Sequence, residues 1–304
     1  MTPLHVAAEF GHVACSRLLL DCGAAVEARA AGNTTPLHHA ASVGSVECAR
    51  LLLDRGAAVN STDVDGMTPL HCAAKKGELN CVQLLLDRGA DVNMLDWIGW
   101  TPLRFSVQEG HSACARLLLE RGASVHTATE AGLTPLHLAT THGRLECARL
   151  LLERGAAVGA RSREGITPLH SVAQYGRTEL AFELLWHGAD VALADNDGDT
   201  PAALAARHQK QSVTDLLAAW SRGELREWRR EAHALFPAAF RADVAAALLA
   251  LTSSIAAHAP PSTNPLRILQ SHHLLEPLFS VLLVAHMGGP PRAPTAAQLP
   301  AQLP

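Results

Sequence analysis

A Thr-Pro pair recurs at Thr2, Thr35, Thr68, Thr101, Thr134, Thr167 and Thr200, each 33 residues after the last. A step that constant means one structural unit copied in tandem, and such copies stack into a solenoid instead of collapsing into a single globule. The unit is plainest at Thr68-Pro69-Leu70-His71-Cys72-Ala73-Ala74. Threonine caps a helix because its hydroxyl accepts from a free backbone N–H of the first turn. Proline suits the next position, where no N–H is needed and φ is already helical. A short helix is therefore expected from Pro69 to about Lys76, stopped by Gly77, which can turn left-handed. A second helix carries Cys81, Val82, Leu84, Leu85 and Leu86 and ends the same way at Gly89. Ahead of Thr68, Asp63, Asp65 and Gly66 have the turn chemistry of a protruding, hairpin-like finger. Each unit reads as finger, helix, turn, helix.

The pattern D-x-x-G-x-T-P-L-H-x-A-A, then glycine, then L-L-L-x-x-G-A-x-V-N, resembles the ankyrin repeat from about Thr2 to Leu217, over six full units with the last degraded. The resemblance implies an all-α solenoid of antiparallel helix pairs, with β-hairpin-like fingers at right angles and a concave protein-binding surface. It also implies a role for His5, His38, His71, His137 and His170. In ankyrin repeats the equivalent imidazole hydrogen-bonds between finger and helix backbone and fixes the angle of the turn. Their periodicity argues the same way, because catalysis needs a unique constellation and not a repeated one.

Composition narrows the function. Nearly half the chain is apolar and only 4% aromatic, which fits a core of Leu, Ala and Val between short helices. A net charge of −4 with no basic stripe leaves a nucleic-acid partner unexpected. No N-terminal signal or lipidation motif is visible, and the apolar run Leu278 to Ala285 is too short to span a bilayer, so no membrane partner is expected. Cys15, Cys48, Cys81, Cys114 and Cys147 stand one repeat apart. Equivalent stacked helices lie roughly 8–10 Å apart, beyond disulfide reach. These thiols are read as small apolar core residues in a reducing compartment, cytoplasmic or nuclear. No phosphate loop, H-E-x-x-H or G-x-S-x-G occurs, and His272-His273 has no ligand partners at metal spacing, so neither an enzyme nor a cofactor or metal is expected.

Taken in order, the first unit begins at its own cap without a finger, and a missing N-terminal piece is the expectation. Ala30-Ala31-Gly32-Asn33 replaces Asp-x-x-Gly and predicts a looser finger. The fourth unit deviates most: its finger reads Asp96-Trp97-Ile98-Gly99-Trp100, and Arg104-Phe105 stand where His-Leu or His-Cys is expected. The seventh has Ala203 for the histidine, Gln209 for the glycine and a polar Arg207–Gln211 run suited to a terminal cap. The domains expected are repeats over 1–220, a helical segment over 221–252, and a Pro-rich, largely disordered tail over 253–304.

By the same resemblance, a partner touches the finger tips and the exposed ends of the first helices. The residue before each Thr-Pro gives the column Thr34, Met67, Trp100, Leu133, Ile166 and Asp199, and with Trp97 and Ile98 its large apolar members make a patch that is costly to leave in water. The matching helix ends are Phe10, Val43, Lys75, Lys76, Gln108, Glu109, His142 and Tyr175, and Trp and Arg, here including Arg104, are typical anchors. The alternative is that Trp97 and Trp100 merely pack against neighbouring fingers. The reading adopted is a non-catalytic interaction module that binds a protein through the surface centred on the fourth repeat. The other is a substrate adaptor of a ubiquitin ligase, its C-terminal segment recruiting ligase components as in ankyrin proteins with a SOCS box. That box carries an L-x-x-x-C stretch, whereas no cysteine follows Cys147, and Leu235–Phe240 matches an F-box start poorly. The resemblance also places Asn60 and Asn93 at positions that oxygenases hydroxylate in ankyrin repeats.

Overall fold

The computed structural model describes residues 1–222. The chain divides into two units, Met1–Thr214 and a second beginning at Asp215. Of the second, the described part is the end of one helix, and the segments expected beyond Arg222 lie outside the described residues. In chain order come α1 (Pro3–Glu9) with α2 (Val13–Asp21), α3 (Pro36–Ser42) with α4 (Val46–Asp54), and α5 (Pro69–Lys76) with α6 (Leu79–Asp87). Then follow α7 (Pro102–Glu109) with α8 (Ser112–Glu120), α9 (Pro135–His142) with α10 (Leu145–Glu153), and α11 (Pro168–Tyr175) with α12 (Thr178–Trp186). Last come α13 (Pro201–Arg207) and α14 (Gln211–Ser221), the latter running across the unit boundary. Among the described residues there is no strand, so the solenoid is all-α and its fingers are turns.

The helix bounds follow from the caps. α5 starts at Pro69 behind Thr68, whose hydroxyl accepts from the His71 N–H, and stops at Gly77, whose φ of +79° is left-handed. At the same place in the last unit Gln209 is forced to φ +56°, a conformation that L side chains resist. First helices pack on first helices, α1 through α13, and second helices on second helices, α2 through α12, which gives two layers. Between them Leu37, Leu70, Leu103, Leu136 and Leu169 are buried at one repeated position, with Ala40, Ala73 and Ala139 letting the backbones approach. No unit could bury these leucines alone, because each is covered by the next copy.

Cys48, Cys81, Cys114 and Cys147 are buried free thiols, as the spacing predicts. Burial pushes Cys81 up to about 12 and Cys114 and Cys147 to about 11, so they stay protonated and inert. Cys15 is the exception: it is exposed on α2, together with Leu18, because that helix packs on α1 and α4 and has no second neighbour in its own layer among the described residues.

The histidines are the joints. In His71, Nδ1 lies 3.1 Å from the Thr68 N–H and Nε2 lies 3.1 Å from the Trp100 carbonyl of the next unit. A backbone N–H can only donate and a carbonyl can only accept, so the ring is neutral with its proton on Nε2. His5, His38, His137 and His170 repeat the arrangement toward the carbonyls of Thr34, Met67, Ile166 and Asp199. Each imidazole thus caps its own helix and holds the following finger. Outside, Arg55–Asp21, Arg88–Asp54 and Arg121–Asp87 pairs at 2.7–2.9 Å join successive units, but they are solvent-exposed and contribute little.

Replacing His71 by Ala strands the Thr68 N–H and the Trp100 carbonyl, and the expected cost is about 1–3 kcal/mol of stability. A urea midpoint identical to wild type would show that the joint carries no load. A pH dependence follows as well. Burial holds His38, His71, His137 and His170 below their ordinary 6.5, against the hydrogen bonds to carbonyls that raise them. The unfolded chain therefore binds protons first as pH falls, so the stability is complete above about 6.5 and declines below it. The melting temperature should drop between about pH 6.5 and pH 5, before carboxylates titrate; a flat profile over that window contradicts the assignment.

Candidate functional site

Each finger is a five-residue turn closed by a backbone bond, such as Asp63 N to Met67 O at 3.0 Å and Asp96 N to Trp100 O at 3.0 Å. In the third, fourth and seventh fingers an aspartate at the first position completes it, and in the sixth the Ser162 hydroxyl does. Asp63 Oδ1 accepts from the Asp65 and Met67 N–H groups, and Asp96 Oδ1 from those of Ile98 and Trp100. The looser finger expected at Ala30–Asn33 has no such side chain and forms a short 3-10 turn (Ala31–Asn33), with Arg29 tying the Asn33 and Thr62 carbonyls together.

Neighbouring fingers are linked at their tips. Val64 N donates to Gly32 O, Trp97 N to Asp65 O, Arg163 N to Ala131 O and Asn196 N to Glu164 O, all at 2.9–3.0 Å. The series skips one joint. The matching pair between the fourth and fifth fingers, Glu130 N and Ile98 O, makes no bond. Glycine environments agree: a Cβ at Gly66 would meet the Trp97 ring at 2.8 Å, whereas one at Gly99 would meet nothing within 4 Å. The fifth finger is also less well closed, since Thr129 Oγ1 reaches only the Leu133 N–H, at 3.2 Å.

The tips of the third and fourth fingers form one apolar patch. Trp97 is 70% exposed, Ile98 65% and Val64 57%. Trp97 also donates from Nε1 to the Val64 carbonyl at 2.8 Å, so the indole rests on the preceding finger while one side stays open to solvent. The ring thus packs on the neighbouring finger, as the alternative sequence reading expects, and stays largely exposed as well. Val64 escaped the sequence reading, although it holds the place of Trp97 one repeat earlier and could have been found by that register.

The expected column lies lower than the sequence implied. Met67, Trp100, Leu133 and Ile166 are half-buried at the finger bases, because their carbonyls are the acceptors of the joints. Trp100 turns inward, with its ring 5.1 Å from that of Phe105. On the helix ends, Lys75, Lys76, Glu109, His142 and Tyr175 are exposed, while Gln108 is half-buried and its carbonyl accepts from Arg144 Nε. Lys75 Nζ sits 5.4 Å above the Phe105 ring.

Arg104 is the main correction. It is 0% exposed and so does not lie on the surface it was expected to anchor. It takes the histidine's place, with Nη1 donating to the Leu133 carbonyl at 3.0 Å and to that of Thr127 at 3.4 Å. A guanidinium cannot accept, so the cap from Thr101 N–H to an imidazole is lost in this unit. Its carbon lies 5.1 Å over the Trp100 ring, and Nε and Nη2 have no hydrogen-bond partner within the protein. Burial pushes its pKa down to about 10 against the opposing charge of Asp96. Lys75, Phe105, Trp100 and Arg104 thus alternate cation, ring, ring, cation.

Other candidates are quiet. Asn60 Oδ1 accepts from Asp91 N, and Asn93 bridges Ser124 N and Gly122 O, so both amides are engaged in holding turns. Among the described residues no cluster of His, Cys, Asp or Glu has metal-binding geometry, and no helix is long and apolar enough to cross a membrane. The ligase-recruiting expectation rests on residues that lie outside the described ones.

The family model for ankyrin repeats, in three copies, matches residues 1–63, 59–129, 94–162 and 154–225. The crystal structure of the human ASB11 ankyrin repeat domain is similar at 33% identity and a TM-score of 0.66, over 72% of this chain and 97% of that one. The ankyrin repeat domain of Bcl-3, a member of the IkappaB protein family, is similar at 31% identity and a TM-score of 0.62, over 72% and 98%. No curated protein matches the chain. With capped helix pairs, linked fingers and histidine joints recurring along the matched length, this chain belongs to the ankyrin repeat family.

Proposed function

We propose that this chain is a non-catalytic binding module whose protein partner docks on the finger and helix-end surface centred on the fourth repeat. The observation that carries the reading is the tip patch of Val64, Trp97 and Ile98, three large apolar side chains more than half exposed beside one another. Adjacent exposed groups of this size mark interaction sites more often than idle surface, and tryptophan is a frequent anchor. Lys75 and Lys76 at the end of α5, Glu109 at the end of α7, His142 on α9 and Tyr175 on α11 supply a polar rim within the same first-helix layer. Met67, Trp100, Leu133 and Ile166 back this surface as its half-buried floor. Ankyrin repeats serve protein interaction, and that general role fits a chain whose repeated histidines are all spent on structure. The free buried thiols fit a cytoplasmic or nuclear setting.

The test is the double substitution Trp97→Ala with Ile98→Ala in the full chain. Partner capture from cell extract should fall by about tenfold or more, as for an interface hot spot. Stability should change by only about 1 kcal/mol, the worth of the Trp97–Val64 bond. Full capture by a destabilised variant would mean that the indole serves the finger alone.

A further inference from the structure

The fourth joint differs from the others in charge. Arg104 is a buried cation in no direct ion pair: among the described residues neither it nor Lys75 forms one, and the charge that acts on it is that of Asp96. Asp96 acts on it from the fourth finger but makes no hydrogen bond or ion pair with it, and its Oδ1 accepts from two backbone N–H groups at 3.1 and 2.7 Å instead. An unpaired buried charge is costly, and its own family position is filled elsewhere in the chain by a neutral imidazole. The charge therefore calls for an explanation beyond holding the Leu133 carbonyl, which histidine does at equal distance in the other units.

The free atoms define the missing partner. Nη1 is bound to the fifth finger, while Nε and Nη2 are unpartnered. Those two nitrogens share one edge of the guanidinium and present parallel N–H bonds, the two-pronged donor that matches both oxygens of a carboxylate. The route to that edge is also marked. Opening between the fourth and fifth fingers breaks no tip-to-tip backbone bond, unlike opening at any other described pair, and the space beside Gly99 is empty. On the fourth finger Ile98 is exposed, Trp97 rests exposed against the third finger, and Lys75, in no ion pair, is stacked on Phe105.

We propose that the joint between the fourth and fifth fingers is a carboxylate-accepting site: an Asp or Glu side chain of the protein partner enters between the fingers and pairs with Nε and Nη2 of Arg104, while an apolar neighbour covers Trp97 and Ile98. The inference rests on the docking surface proposed above and gives its partner a chemistry, an acidic residue next to an apolar one.

The experiment pans a displayed library of random peptides on the full-length chain and on its Arg104→His variant. Histidine is what the chain itself carries at His5, His38, His71, His137 and His170, so the variant keeps a joint to Leu133. Binders to the wild type should carry Asp or Glu beside a large apolar residue. Changing that acid to its amide should weaken binding to the wild type by about tenfold or more, the scale of a charge-assisted hydrogen-bonded pair, and should change nothing against the variant. Binders without an acid, a neutral acid-to-amide change, or an equal loss on the variant would each overturn the inference. Should the variant not fold, the acid-to-amide comparison on the wild type decides. Acid-independent binders that still require Trp97 and Ile98 would sink the carboxylate site and leave the docking surface standing; binders that need neither would remove both.

Discussion

One hydrogen bond holds this molecule's units in register. In each of the first six units a side chain on the first helix donates to the carbonyl that ends the next finger, 29 residues later, and in five of them that donor is a neutral histidine Nε2. The same ring accepts from the threonine N–H that opens its helix, so the cap and the inter-unit joint cannot be changed separately. Leucine burial supplies most of the driving force for stacking, but it is non-directional. The imidazole contact sets where the finger stands, and with it the row of tips that faces outward.

The fourth unit keeps the geometry while changing the chemistry. Arg104 reaches the Leu133 carbonyl at 3.0 Å, which matches the distance of the histidines, yet it brings a charge and cannot receive the threonine N–H. The fifth finger next to it starts with Thr129 in place of an aspartate, and the tip bond to the fourth finger is absent. Three departures therefore meet at one joint. The fourth finger at this joint also carries Trp97 and Ile98, the most exposed large apolar side chains of the tips. A scaffold made of identical joints offers a partner no preferred place to bind, and the coincidence at this joint is what distinguishes it.

Much of the fold could be read directly from the sequence because every governing interaction is local or repeats at one period. Thr68, Pro69 and Gly77 define α5 by cap and stop, and the bounds agree with the expectation to the residue. The buried cysteines and the histidine joints follow from the same register. The site was only partly legible. Residues before Thr-Pro were expected at the tips, but a finger closes on their carbonyls, which draws Met67, Trp100, Leu133 and Ile166 to its base. Arg104 reads as a surface anchor by residue type, and only the unit's packing shows it replacing an imidazole in the interior. Val64 was hidden because valine alone is unremarkable until Trp97 lies against it.

Among the described residues the fingers form a bonded series broken at one place, between the fourth and the fifth. Native-state hydrogen exchange of the tip amides tests it most directly, because each tip bond protects one named N–H. The N–H groups of Val64, Trp97, Arg163 and Asn196 should exchange slowly and that of Glu130 fast. A Glu130 amide as protected as those of Trp97 and Arg163 would mean that the series is unbroken.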